Sequence, residues 1–268
     1  MTNYFSRLNY NDYFQKEMID VHSFLGVDLN SYGVIEEKKL LKWESIDENN
    51  ITPLPAELDD LIRLHFLIRT RKVRTVLEFG VGKSSFIITD ALNKNKIEHS
   101  EYVSNSLRIR NAFECHSIEN NEKWLSQCSK NINNNKIFKP HLCDLRVGDF
   151  NSRLCTYYMN MPNIRPDFIY LDGPDQYSSE GDLRGLHTRH PDRMPMAADI
   201  LTIEHFLEPG TMILVDGRTA NARFLKCNLQ RNWDYVFLEM YDQHFFELNE
   251  SPLGYWNKKA IEFTNSNF

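Results

Sequence analysis

From residue 56 onward, short β-rich runs alternate with segments of helical periodicity, and this alternation restricts the fold more than any other feature of the chain. The runs are "RTVLEFG" from Arg74, "AFECHSIEN" from Ala112, "KIFKPHLCDL" from Lys136, "DFIYLDGPD" from Asp167 and "TMILVDGR" from Thr211. Between them lie "AELDDLIRLHFLIRTRK", Ser84 to Leu92, "NEKWLSQCSKNI", "AADILTIEHFL" and "ANARFLKCNLQ", each with apolar residues at helical spacing. The pattern predicts an α/β, doubly wound, Rossmann-like and mainly parallel sheet. "DYVFLEMYDQHFFEL" reads as two short antiparallel strands, which gives that sheet an antiparallel C-terminal edge. The Asn-rich pieces "LNKNK" and "NINNNK" read as loops. Residues 1–55, polar and closed by "ENNITPLPAEL", read as an N-terminal extension or cap with some helix, and 56–268 as the ligand-binding domain.

A chain of 268 residues, 41% hydrophobic and 25% charged, suits one such domain with an extension. Its net charge of −6 argues against a general nucleic-acid-binding surface. No apolar run has the length of a membrane span, and the N-terminus lacks the apolar core of a secretion signal. The five cysteines form no CxxC pair, so they read as thiols in a reducing compartment. The expectation is a cytoplasmic protein without nucleic-acid or membrane partners; homo-oligomerisation is left open.

The loop after the first strand, Glu78-Phe79-Gly80-Val81-Gly82, decides which ligand class to expect. A P-loop needs a glycine where Leu77 stands. A dinucleotide fingerprint has Gly80 and Gly82 but Ser85 at its third glycine, and it stays open. So does a bare strand-to-helix turn with no ligand. The third ligand reading also accounts for Glu78: an acid at the strand end, GxG, and the small hydroxyls Ser84 and Ser85 resemble motif I of class I S-adenosylmethionine (SAM)-dependent methyltransferases. Glycines let backbone approach a ligand, and the helix N-terminus behind them favours a carboxylate.

That resemblance spans roughly residues 56 to 248 and implies roles at further strand ends. Glu119, in "HSIENN", would bond ribose hydroxyls, with Glu114 on the same strand as the second choice; Asp144, in "HLCDL", would reach the adenine amino group. Glu119 stands about twice as far from Glu78 as is common in these folds, which predicts an insertion before the second strand. "LDGPDQY" and "VDGR" resemble, more narrowly, small-molecule O-methyltransferases of the macrocin and catechol type. There Asp172 and Asp216 would face the acceptor and could hold Mg²⁺, although Gly217 stands where a further ligand would be; Asp175 or Asp199 could substitute. Without a metal, the general base would be Asp172, His187, His190 or His244. Gln176–Met196 reads either as a solvated loop or as a substrate loop. In the second reading Arg184, Arg189, Arg193 and Arg218, with Arg223 behind, grip an anionic acceptor such as a phosphorylated or nucleotide-linked sugar. Trp124, Trp233 and Trp256 read as packing residues. The expected activity is methyl transfer to a small molecule, most simply at a hydroxyl. An NAD(P)-dependent oxidoreductase and a non-catalytic Rossmann-like binding subunit are the alternatives.

Overall fold

The computed structural model describes residues 4–25, 57–132, 135–190 and 196–266. In chain order the elements are α1 (Tyr10–Glu17), α2 (His22–Leu25), α3 (Leu58–Thr70), β1 (Thr75–Phe79), α4 (Lys83–Ser106), β2 (Glu114–Glu119), α5 (Glu122–Asn131) and β3 (Phe138–Leu142). There follow β4 (Leu145–Phe150), β5 (Arg153–Tyr158), β6 (Phe168–Leu171), α6 (Asp199–Ile203), β7 (Met212–Asp216), α7 (Thr219–Asn228), β8 (Trp233–Leu238), β9 (Gln243–Leu248) and α8 (Tyr255–Asn265). Seven strands form one sheet in the order β3-β2-β1-β6-β7-β9-β8. β3 through β7 in that order are parallel, and β9 is antiparallel to both its neighbours. The predicted antiparallel edge is therefore present.

Strand alternation assigns each central side chain to one of two buried faces. Leu77, Phe79, Ile169, Leu171, Ile213 and Val215 pack toward α6, α7 and β5. Val76, Phe168, Tyr170, Met212 and Leu214 pack toward α3, α4 and the first residues of the chain. Tyr4 stacks on Phe245 of β9 at 4.9 Å, and Phe14, Met18 and Val21 close over Ile62 and Ile87. Residues 4–25 thus cover one face of the sheet; the connector around residue 50 lies outside the described residues. All five cysteines are free thiols, four of them buried.

Three elements depart from the sequence reading. "LNKNK" is not a loop: it lies inside α4, which runs 24 residues. Asn95 is fully buried there because its amide donates to the Ile68 and Val73 carbonyls, at 3.0 and 2.9 Å, where α3 ends and the chain turns to β1. The long spacing from Glu78 to Glu119 is largely this extended helix. Secondly, β4 and β5 form an antiparallel hairpin after β3, joined at Asn151-Ser152 with φ of 50° and 63°. Such left-handed pairs suit tight hairpin turns. Thirdly, α8 follows the sheet and packs Phe263 on Val103, Leu107 and Phe113.

Asn95→Ala removes the amide donor from the Val73 carbonyl and the second donor of the Ile68 carbonyl, which keeps Val73 N–H, and should cost about 1–3 kcal/mol in urea unfolding. A change below about 0.5 kcal/mol would show that the α3–α4 junction does not depend on this amide.

Candidate functional site

The site is built at the C-terminal ends of β1, β2, β6 and β7, where an open α/β sheet leaves a crevice. β1 and β6 end so close that a Cβ on Gly173 would meet Gly80 N and Phe79 O at 2.7 Å. Gly80 itself has φ of +90°, which favours glycine. Gly82, the residue before α4, has open space where a Cβ would stand, so this side of the loop is free to receive a ligand.

Glu78 lies beneath the loop with no exposure. Its Oε1 accepts from Ser84 Oγ at 2.7 Å, and its Oε2 from Ser85 Oγ at 2.7 Å and Ser117 Oγ at 2.5 Å. Ser85 Oγ in turn accepts from Gly82 N–H at 3.1 Å. Burial pushes the Glu78 carboxyl up to about 7, against the opposing effect of the three hydroxyls. Glu78 and the two serines are thus brought together, but as the anchor under the glycine loop.

Glu119 ends β2 beside that loop. Its Oε1 accepts from Asn120 and Asn121 N–H at 2.9 and 2.8 Å, and its Oε2 from Val81 N–H at 3.2 Å. Burial raises its pKa and these amides lower it. Glu114 is at the other end of β2, bonded to Asn111 and His116. Asp144 is exposed just past β3, and its carbonyl receives Met159 N–H at 2.7 Å, closing the base of the hairpin.

Asp172 follows β6. Desolvation in the crevice and the nearby Asp216 carboxylate push it up to about 7 while Arg218 pulls it down. Its side chain is 54% exposed, so water reaches the carboxylate and screens part of the desolvation. Arg218 donates from Nη2 to the Asp172 carbonyl and from Nη1 to the Pro174 carbonyl, both at 2.7 Å, and so clamps the Asp172–Asp175 turn, whose Gly173-Pro174 bond is cis. Asp216 accepts from Tyr170 Oη at 2.8 Å and Gln243 Nε2 at 3.2 Å. Gln243 continues to Arg63, a buried guanidinium lying 4.3 Å over the Tyr241 ring and paired with Asp59 and Asp60. Neither suggested substitute ligand joins Asp172 and Asp216. Asp175 folds onto Tyr177 and Ser178, and Asp199 is buried beneath the hairpin, bonded to Tyr158 N–H at 2.9 Å. Among the described residues the group of three carboxylates close enough to share an ion is Glu57, Asp59 and Asp60, on and before α3.

Gln176–Met196 is not simply a solvated loop. Val147 N–H donates to the Glu180 carbonyl at 2.8 Å and Thr156 N–H to the Met196 carbonyl at 2.9 Å, so its two ends extend the hairpin. Arg189 donates to the Ser179 and Gly181 carbonyls of its own segment. Arg184 is exposed, with φ of 59°, in the turn between Leu183 and Leu186. His187 is half-buried and His190 exposed, the latter accepting Gln176 Nε2 on its carbonyl at 2.9 Å. Arg193 lies outside the described residues. His244 is a packed histidine on β9: it is 1% exposed, bonded to Thr219 and Tyr235, and stacked on Phe237.

Tyr158 also lies near these groups, at a position no sequence motif marks. This residue ends β5, its ring lies 6.0 Å from that of Phe79, and its buried hydroxyl has no hydrogen-bond partner among the described residues. Glu119, Arg218, Asp199 and Asp175 all act electrostatically on that hydroxyl, which sets it among the site's charged groups. The only sequence signal was the aromatic pair Tyr157-Tyr158 in a stretch of unrecognised strand.

The fold is Rossmann-like. No family model matches the chain, and no curated protein matches it. Among solved structures it is similar to the O-methyltransferase TomG from Streptomyces achromogenes, involved in tomaymycin synthesis and bound to SAM. That likeness has a TM-score of 0.40 and 14% identity over 74% of this chain and 82% of that one. An O-methyltransferase from Bacillus cereus in complex with SAH gives 0.39 and 11%, covering 91% and 94% of the two chains. The SAH-bound methyltransferase PaMTH1 of Podospora anserina gives 0.37 and 12%, covering 74% and 80%.

Because the folded Glu78 holds its proton more tightly than an ordinary glutamate of 4.5, its contribution to stability is complete below pH 4.5 and is lost as pH rises through about 7. Glu78→Gln should flatten the fall of unfolding free energy in that window by up to about 1.4 kcal/mol per pH unit. An unchanged slope in urea titrations at successive pH values would mean that the carboxylate is already ionised in the fold.

Proposed function

We propose that the chain is a SAM-dependent methyltransferase acting on a hydroxyl of a small molecule. The observation that carries this reading is the joining of Glu119 to the glycine loop through Val81 N–H, with open space at Gly82 beside it. A carboxylate and exposed backbone then form one wall, suited to a ligand with a diol and an amino-acid end. The residues fit such a cofactor: Gly80–Ser85 would line its amino-acid end, Glu119 its ribose and Asp144 its base. Bound SAM would bring a methyl already activated on sulfonium.

The protein's share of the chemistry is then alignment and removal of one proton. Asp172, half-exposed and with its pKa pushed up to about 7, would take the acceptor hydroxyl's proton as oxygen attacks the methyl. Arg218 would fix the turn that aims it. Neither Asp175 nor Asp199 joins Asp172 and Asp216 as a third ligand, which favours a base at Asp172 over a Mg²⁺ ion shared with Asp216. Arg189 and Arg218 spend donors on carbonyls, leaving Arg184, among the described residues of the four, as the guanidinium for an anionic acceptor such as a phosphorylated or nucleotide-linked sugar. The dinucleotide alternative fits less well. The usual dinucleotide-binding sheet has the order 3-2-1-4-5-6, whereas here an antiparallel strand is inserted next to β7.

Calorimetric titration with SAM, its demethylated product, NADH and NADPH tests the reading. SAM and its product should bind, and Glu119→Ala should weaken both by about tenfold or more. Preference for a dinucleotide, or indifference to Glu119→Ala, would overturn it. In an acceptor screen of phosphorylated sugars, nucleotide-linked sugars and catechols, Asp172→Asn should lower turnover by about 10²–10⁴ with SAM affinity kept. EDTA should leave the wild-type rate unchanged; loss of rate would restore the metal reading.

A further inference from the structure

A cavity of 220 Å³ lies at the other end of the sheet, lined by the residues that open its strands: Thr75 at β1, Asp167 before β6 and Thr211 before β7. Five-residue strands span roughly 17 Å, so this cavity is separate from the crevice at their C-terminal ends. Its roof is the Leu253–Asn257 segment, where α8 begins.

Three guanidinium groups line it against two carboxylates. Asp167 is saturated: it accepts from the Arg74 and Thr75 amides and pairs with Arg74 Nη2 at 2.6 Å. Glu208 is likewise taken by Arg165 Nη1 at 2.5 Å and Asn257 Nδ2 at 3.3 Å. The positive charge left over is that of Arg108, whose exposed guanidinium has no partner among the described residues, while its backbone carbonyl holds Arg165 Nη2 at 3.0 Å. Arg74 is only 5% exposed and its buried Nε–H has no acceptor, an arrangement a folded chain tolerates only at a cost. The first turn of α8 adds amides with no partner inside the helix and the positive end of its dipole.

Contrary to the sequence expectation, Trp256 is not an interior packing residue. It is 46% exposed, with Tyr255 at 62% beside it in an edge contact of 5.1 Å. Aromatic faces beside a free guanidinium suit a flat anion, because arginine bonds a carboxylate in two places and aromatic rings stack on its body. The volume falls below the roughly 300–1,000 Å³ of drug-sized sites, which limits the occupant to something near benzoate or an aromatic amino acid in size.

We propose that this cavity is a second ligand site, taking a small aromatic carboxylate between Arg108, the start of α8 and the Trp256 ring. The proposal stands apart from the methyltransferase reading and does not need it. Benzoate and 4-hydroxybenzoate, titrated into the full chain by calorimetry, should bind, with inorganic phosphate much weaker. Arg108→Gln and Trp256→Ala, both exposed positions outside the sheet crevice, should each weaken benzoate by about tenfold. Unfolding midpoints report whether either variant is misfolded, and Arg108→Lys, which keeps the charge but loses the planar fork, should fall between wild type and Arg108→Gln. No benzoate binding at millimolar concentration, equal affinity in both variants, or phosphate binding as tightly as benzoate would overturn the proposal. So would sedimentation showing that Trp256→Ala dissociates a dimer, since the aromatic face would then belong to a second copy.

Discussion

Glu78 is a carboxylate shut away from water, and two separate elements supply its partners: Ser84 and Ser85 from the start of α4, and Ser117 from the middle of β2. A buried acid without such donors would be strongly unfavourable. Once the three hydroxyls are in place, β1, β2 and the first turn of α4 are fixed to one another. The loop between β1 and α4 then has little freedom left. Glu119 holds it from the side through Val81, and the Gly80–Gly173 contact ties it to β6. At Gly82 the loop keeps an open face, with nothing within reach of a Cβ there.

The same economy of partners governs the far side of the crevice. Arg218 could have been a free cation, but two of its nitrogens hold the carbonyls of the turn that carries Asp172. Asp216 is tied through Gln243 to Arg63, so a polar chain runs from the crevice into α3. Where a helix would ordinarily follow β3, the β4–β5 hairpin stands instead, and the long segment after β6 adds to it by backbone bonds. The crevice is therefore walled by sheet on that side, with Tyr158 beneath.

What the sequence disclosed and what it hid follow from the range of the interactions. β1, β6 and β7 are buried over nearly their whole lengths and end in acids or glycine, so composition alone marked them, and with them Glu78, Asp172 and Asp216. The antiparallel β8–β9 pair was legible for a similar local reason. β4 and β5 were not: their faces are half-exposed, their residues mix Arg, Asp and Thr with apolar ones, and only the pairing itself makes them strands. Asn95 looked like a loop residue because its helix-compatible role depends on carbonyls more than twenty positions away. Arg189 and Arg218 looked like anion-binding residues because no local pattern reveals a guanidinium engaged by backbone oxygens. The Tyr158 hydroxyl belongs to the same class of long-range fact.

The proposed function requires the ligand to be held at the Glu78-anchored, Glu119-braced glycine loop. Amide hydrogen exchange followed by mass spectrometry, with and without the demethylated product of SAM, tests it most directly. Exchange should slow in peptides covering Phe79–Ser85, Glu119–Asn121 and Asp172–Asp175, with no change in α8. Unchanged exchange across those three segments, or protection confined to another part of the fold, would contradict it.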